Sequence, residues 1–233
     1  MIAYAFIITI LFLLLTACIA IIVLSLVLYK KDPEPFIPGV NYSDKPDYTV
    51  LELPQFLTYE ECDNIIELSK DNLFPSKIYD ESSDLLADTK RVSEQAWLDD
   101  SDPFIKRLSD KIKNYTNTPN NFQEKLQVVK YSTGGFFKPH YDACEGGSEF
   151  CKRMDGENGP RYLTVLIYLN DDYEGGETVF PLINKSIVPR KGKAVIFQNV
   201  DKKNGYIITQ SVHGGEPVTK GSKWIANKWI RLG

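Results

Sequence analysis

The chain has 233 residues, with 31 acidic and 27 basic side chains, a formal charge of −4 and only two histidines. Interspersed charges of both signs argue against a nucleic-acid-binding surface, so no nucleic acid is expected as a partner. No internal repeat marks a solenoid, and nothing in the pattern specifies an oligomeric state.

The first predicted element is apolar. Ile2 to Leu28 is an uncharged run long enough to cross a bilayer as a helix. It lacks the basic leader and small-residue cleavage site of a secretory peptide, so residues 1–29 read as an uncleaved transmembrane signal anchor of a single-pass protein. Lys30 and Lys31 alone would keep the following domain cytosolic. The residues leave topology open between that and the expected placement, a catalytic domain in the lumen of the endoplasmic reticulum or secretory pathway. Residues 30–46, with Pro33, Pro35 and Pro46, show no apolar periodicity and read as a linker. Residues 47–233 suit one well-buried domain.

Within that domain, Thr58 to about Asn72 has helical periodicity, with Thr58 and Glu61 spaced as a capping box. A second helix is expected over Asp102 to Tyr115, with Pro103 in its first turn and Phe104, Ile105, Leu108 and Ile112 on its apolar side. Short β-rich runs follow at Leu126–Tyr131, Tyr162–Leu169, Lys193–Gln198, Tyr206–Val212 and Lys223–Leu232, separated by glycine-containing turns. The pattern predicts a mainly β fold with flanking helices, a double-stranded β-helix or jelly-roll core whose mouth holds a metal and a small ligand. Cys62 reads as a buried helix thiol. Cys144 and Cys151 would pair in an oxidising lumen and stay reduced in a cytosol.

The two histidines carry the chemistry. His140 and Asp142 stand at i and i+2, on one face of an extended strand with Tyr141 turned away. His213 would arrive from a distant strand. Two imidazoles and one carboxylate occupy one face of an iron(II) octahedron and leave the other positions open for a co-substrate and oxygen. Lys223, ten positions after His213, opens a strand of alternating apolar residues and projects inward, where a buried lysine requires an anion. The distal carboxylate of 2-oxoglutarate meets that need, with the Tyr131 and Thr164 hydroxyls as candidate partners of the same carboxylate. Taken singly, such a strand tyrosine or threonine is more often a packing residue.

Together, LQVVKYSTGGFFKPHYD from Leu126 to Asp142, RYLTVLIYLND from Arg161, GGETVFP from Gly175, His213 and KWIANKWIR from Lys223 resemble the prolyl 4-hydroxylase family, closely its short plant, algal and viral forms. Arg91-Val-Ser93 resembles the family's Arg-x-Ser strand beside the peptide groove. The resemblance implies iron at His140, Asp142 and His213, 2-oxoglutarate at Lys223, Tyr131 and Thr164, molecular oxygen as co-substrate and L-ascorbate as a cofactor. It also implies a tryptophan at Trp229 lining the site and a proline-containing peptide as substrate, since lysyl hydroxylases and many nucleic-acid demethylases use arginine at the Lys223 position. Phe137 departs from the family tyrosine thought to contact the substrate proline, losing its hydroxyl. That departure keeps a second reading open, a 2-oxoglutarate dioxygenase acting on another side chain or a small molecule. A third is a non-catalytic peptide-binding module. The Gly-Gly-Glu-Thr segment reads as a turn, with shape and no chemistry.

Overall fold

The computed structural model describes residues 42–76, 90–144 and 149–233, and all of them fall within one unit, Gly39–Gly233. The expected anchor over 1–29 lies outside the described residues; among those described, no helix is long and apolar enough to cross a membrane.

Both expected helices form, and their caps explain where they begin. Helix α1 spans Tyr59–Ser69; Thr58 Oγ1 accepts the Glu61 N–H at 3.1 Å, and the Glu61 carboxylate accepts the Thr58 N–H at 2.8 Å. Helix α2 spans Pro103–Thr116, with Asp102 Oδ1 accepting from the amides of Phe104 and Ile105 and Asn117 closing the helix at φ +52°. A third helix, α3 (Glu149–Asp155), was not anticipated.

Sixteen strands are described. In chain order they are β1 (Tyr42–Ser43), β2 (Leu51–Leu53), β3 (Phe74–Pro75), β4 (Arg91–Val92), β5 (Glu94–Leu98), β6 (Leu126–Ser132), β7 (Phe136–His140) and β8 (Arg161–Tyr168). They continue as β9 (Glu174–Gly175), β10 (Thr178–Phe180), β11 (Lys185–Ile187), β12 (Ala194–Gln198), β13 (Ile207–Ile208), β14 (His213–Gly215), β15 (Val218–Lys220) and β16 (Ser222–Arg231). Seven form a sheet in the order β2-β12-β8-β16-β6-β5-β3 and five form a second in the order β11-β10-β14-β7-β4. Both sheets are antiparallel throughout.

Strand alternation divides the interior into two layers. Leu126 and Val128 of β6, Val165 and Ile167 of β8 and Ala226 and Ile230 of β16 pack with Ile65 of α1 and with Ile105, Leu108 and Ile112 of α2. The alternate residues Val129, Leu166 and Ile225 meet Phe180 and Ile187 of the smaller sheet. The two sheets therefore face each other across one apolar layer, and the helices cover the larger sheet from behind.

Three local expectations are corrected. The run Tyr206–Val212 is not one strand: only Ile207–Ile208 is extended, and Thr209–Ser211 closes into a 3₁₀ turn. The end of the linker is structured, because β1 pairs in parallel with β13 and Lys45 Nζ donates to Gln198 Oε1 at 2.7 Å. Asp142 is not on a strand; β7 ends at His140, and Asp142 follows in a bend. Tyr141 does turn away, into a small cluster with Ala143, Val200, Ile207 and Val212.

Candidate active site

β7 and β14 are neighbours in the smaller sheet, and their register sets His213 directly opposite His140. The bend after β7 brings Asp142 back towards both rings. His140 Nε2 lies 3.6 Å from Asp142 Oδ1, His213 Nε2 lies 3.7 Å from Oδ2, and the ligand atoms of all three residues fall within 4.8 Å of one another. Each imidazole is oriented from behind: His140 Nδ1 donates to the Lys138 carbonyl at 2.9 Å and His213 Nδ1 to the Ser211 carbonyl at 3.0 Å. A carbonyl only accepts, so Nδ1 carries a proton in each ring, and in the neutral tautomer this fixes, the Nε2 lone pair is the one available to a metal. Burial pushes the His213 pKa down to about 4, which keeps the ring neutral. Burial alone would raise the Asp142 pKa; the His213 and His140 rings and the Arg161 guanidinium outweigh it and hold the carboxyl well below the usual range. Two imidazole nitrogens and one carboxylate oxygen on one side of a cavity fit an iron(II) ion bound by one face.

The same cavity contains Lys223, which stands opposite Tyr131 across the β16–β6 ladder. Lys223 is buried, and burial pushes its pKa down to about 7. Its Nζ donates to the Gly176 carbonyl at 2.7 Å and lies 3.3 Å from Thr178 Oγ1. No carboxylate among the described residues lies within ion-pair distance of it. The glycine-rich turn thus does more than reverse the chain. Gly176 has φ +67°, and a Cβ there would come 2.9 Å from Val218 Cγ2 and 3.3 Å from Lys223 Cδ, so only glycine fits beside the lysine.

Tyr131 lies beside this end of the cavity, with its ring 5.4 Å from Lys223 Nζ; burial raises its pKa, so its hydroxyl stays protonated. Thr164 does not join it. The Thr164 hydroxyl donates to Asp142 Oδ2 at 2.5 Å, and it is Thr178, on the facing sheet, that stands at the lysine. The pattern of β8 could not distinguish these two threonines, since their separation depends on how the sheets face each other.

Arg91 is buried in the cavity wall and stacks over the Phe137 ring at 4.6 Å, while Phe137 stacks on His140 with ring centroids 3.5 Å apart. Ser93 is a brace: its hydroxyl accepts from Arg91 Nε at 2.8 Å and donates to Ser76 Oγ at 2.8 Å. Trp229 also lines the cavity, and its buried Nε1 has no hydrogen-bond partner among the described residues. The Arg161 guanidinium lies 3.5 Å over the Trp229 ring, is held by Glu124 at 2.7 and 2.9 Å, and contacts the Asp142 carbonyl at 3.4 Å. Sequence reasoning assigned no role to Arg161, Glu124, Thr178 or Asn199; Arg161 and Thr178 lie in segments that carry the family resemblance, whereas Glu124 and Asn199 lie outside them. Cys144, two residues beyond Asp142, forms a disulfide with Cys151 of α3.

Comparison with known proteins agrees with this geometry. Residues 126–231 match the model of the 2OG-Fe(II) oxygenase superfamily. Over 188 residues the chain is 32% identical to an Acanthamoeba polyphaga mimivirus protein provisionally named prolyl 4-hydroxylase, covering 81% of this chain and 76% of that one. It is 34% identical over 200 residues to "Probable prolyl 4-hydroxylase 3" of Arabidopsis thaliana, covering 76% and 67% of the two chains. Among solved structures, the collagen prolyl hydroxylase of Paramecium bursaria Chlorella virus-1, in its 2OG complex, superposes with a TM-score of 0.63 at 28% identity, covering 78% of this chain and 95% of that one. Membership carries with it a requirement for iron(II), 2-oxoglutarate and oxygen. A mainly β fold of facing antiparallel sheets, a His-Asp-His cluster beside a buried lysine and these relatives lead to one conclusion: the chain belongs to the prolyl 4-hydroxylase family and is a 2-oxoglutarate-dependent dioxygenase.

Proposed function

We propose that this enzyme 4-hydroxylates prolyl residues in an extended proline-rich or collagen-like peptide, with His140, Asp142 and His213 holding iron(II) and Lys223 receiving the distal carboxylate of 2-oxoglutarate. The observation that carries the reading is the pairing of His213 with His140, which assembles the ligand set in the cavity that also contains Lys223. When bound, the metal and co-substrate supply oxidative decarboxylation to succinate and carbon dioxide and the oxygen atom transferred to the substrate. The chain's own contribution is positional. The Ser211 and Lys138 carbonyls keep protons on the outer imidazole nitrogens. Lys223 and Thr178 anchor one end of the co-substrate, with Tyr131 beside them, so that the keto-acid end faces the triad. Arg91 and the Trp229 indole N–H are donors suited to peptide carbonyls, and an aromatic wall of Phe137 and Trp229 suits the preformed polyproline II helix. The prolyl 4-hydroxylase names of the relatives support proline as the target.

In this reading L-ascorbate would serve as a cofactor that sustains turnover, the two facing sheets are the halves of a double-stranded β-helix, and residues 1–29 anchor the domain in a secretory-pathway membrane. A lumenal domain suits the Cys144–Cys151 disulfide, which an oxidising compartment sustains. To test the function, the full-length protein in mild detergent is given iron(II), 2-oxoglutarate, ascorbate and a proline-rich peptide. Peptide-dependent succinate and one added oxygen on a proline ring are expected. Succinate without hydroxyproline would favour a second reading, hydroxylation of another side chain or a small molecule, which Phe137 motivates because its ring on His140 offers no hydroxyl to a substrate. Neither product would leave a peptide-binding module.

A further inference from the structure

We infer that Asn199, outside every motif considered above, is a positioning residue that orients two of the three metal ligands from a single buried point. This rests on the reading of His140, Asp142 and His213 as the iron site. Asn199 follows β12 and is completely buried. A buried amide is costly unless its hydrogen bonds are made.

Its side chain acts on Asp142. Asn199 Nδ2 donates to Thr164 Oγ1 at 2.8 Å, and the Thr164 hydroxyl donates to Asp142 Oδ2 at 2.5 Å. The order of donors is forced. A threonine hydroxyl has one proton, and an ionised carboxylate can only accept, so Thr164 must give that proton to Asp142 and take its own hydrogen bond from an N–H. That argument also assigns the Asn199 amide, with Nδ2 towards Thr164 and Oδ1 away, where Oδ1 has no partner among the described residues. The chain engages one carboxylate oxygen, Oδ2, and so restrains the rotation of the carboxylate that stands between the two imidazoles, 3.6 Å from His140 Nε2 and 3.7 Å from His213 Nε2.

The backbone of Asn199 acts on His213. Its carbonyl accepts the Ile208 N–H at 2.9 Å and lies 3.5 Å from Ser211 Oγ, on the 3₁₀ turn whose Ser211 carbonyl holds His213 Nδ1 at 3.0 Å. Its N–H donates to the Tyr162 carbonyl at 2.8 Å, tying this point to the strand that carries Thr164. Thr164 and His213 therefore share one anchor. Outer residues that orient metal ligands typically change affinity by about tenfold to a hundredfold when removed.

The test uses cobalt(II) binding to the full-length protein by calorimetry, without turnover, with circular dichroism confirming the fold. Asn199→Asp is nearly isosteric but turns the donor to Thr164 into an acceptor, so the Thr164 proton is drawn away from Asp142. Thr164→Val removes the middle link and keeps the shape. Each is expected to weaken cobalt affinity about tenfold to a hundredfold, Thr164→Ser to stay within about threefold of the parent protein, and the double variant Asn199→Asp/Thr164→Val to lose no more than the worse single one, because both cut one chain. Parent-like affinity in folded Asn199→Asp, or strictly additive losses, would overturn the proposal. Should Asn199→Asp not fold, parent-like affinity in folded Thr164→Val overturns it equally. His140→Ala separates the two levels: if that variant binds cobalt as the parent does, the iron site itself has been misassigned, whereas loss there with no effect at Thr164 and Asn199 refutes only the positioning role.

Discussion

The two faces of the seven-stranded sheet come from the same strands and behave oppositely. Behind it, Ile105, Leu108, Ile112, Val165, Ile167 and Ile230 close into an apolar layer that needs no ligand. The front face has an apolar layer too, but it also buries Lys223, Thr164 and, across the gap, His213. The alternation of β16 shows the division within one strand: Ala226 and Ile230 point to the helices, while Lys223, Ile225 and Trp229 line the cavity. One face stabilises the fold by removing apolar surface from water, and the other buries the polar groups of the candidate site. Lys228 is the exception, a buried cation on the helix side whose nearest carboxylate oxygen is Asp100 Oδ1 at 3.4 Å.

Substitutions can break this comparison. On the cavity face, Asp142→Ala is expected to drop succinate release to background while leaving the circular dichroism spectrum unchanged; retained turnover at limiting iron would remove Asp142 from the ligand set. On the helix face, Ile112→Ala is expected to cost about 2–5 kcal/mol of unfolding free energy in urea titration while leaving the KM for 2-oxoglutarate unchanged. Lys223→Met tests both properties together. Removing the cation should raise the KM for 2-oxoglutarate about thirtyfold or more, since cutting one partner of a buried charge pair typically costs about 2–5 kcal/mol. It should also raise the Tm of the unliganded protein, because a methionine of similar length has no charge to desolvate. A lower Tm would mean that Lys223 supports the fold.

The pH dependence sharpens the same point. The ammonium form of Lys223 is needed to hold a carboxylate and is lost as pH rises through about 7. The KM for 2-oxoglutarate should then climb by roughly tenfold per pH unit above that value, and the slope should vanish in Lys223→Met. The stability of the unliganded protein moves the other way. The unfolded chain binds the proton up to the ordinary value of 10.5, so between about 7 and 10.5 this group makes folding more favourable as pH rises. The smallest effect expected is at the helix cap, where Thr58→Ala should lower stability by about 1 kcal/mol in the same urea titration without altering turnover.

Much of this was legible in the residues. The caps at Thr58–Glu61 and Asp102–Pro103 were readable because they involve atoms only two or three residues apart. The candidate metal donors, which the fold brings within 4.8 Å of one another, were readable because the chain has two histidines, one of them two positions from an aspartate. The strand expected over Tyr206–Val212 was over-read. Its composition suits a strand, but the Ser211 carbonyl is required at His213 Nδ1, and the chain turns there. Thr178, to which no role was assigned, stands at Lys223 where Thr164 was expected, and for a different reason. Both have buried hydroxyls; one faces Trp229 across a ladder of the larger sheet, and the other lies on the smaller sheet opposite Gly215.

By itself the sequence determined the donor types, the helix ends and the alternation that sends Lys223 inward, because those follow from side-chain chemistry and short-range periodicity. The tertiary structure decided that His213 meets His140, that Thr178 stands at Lys223, that Thr164 serves Asp142 and that Asn199 lies behind both ligands. Those pairings depend on strand register and on how two sheets pack face to face, and no local pattern specifies which residue of one sheet will meet which residue of the other.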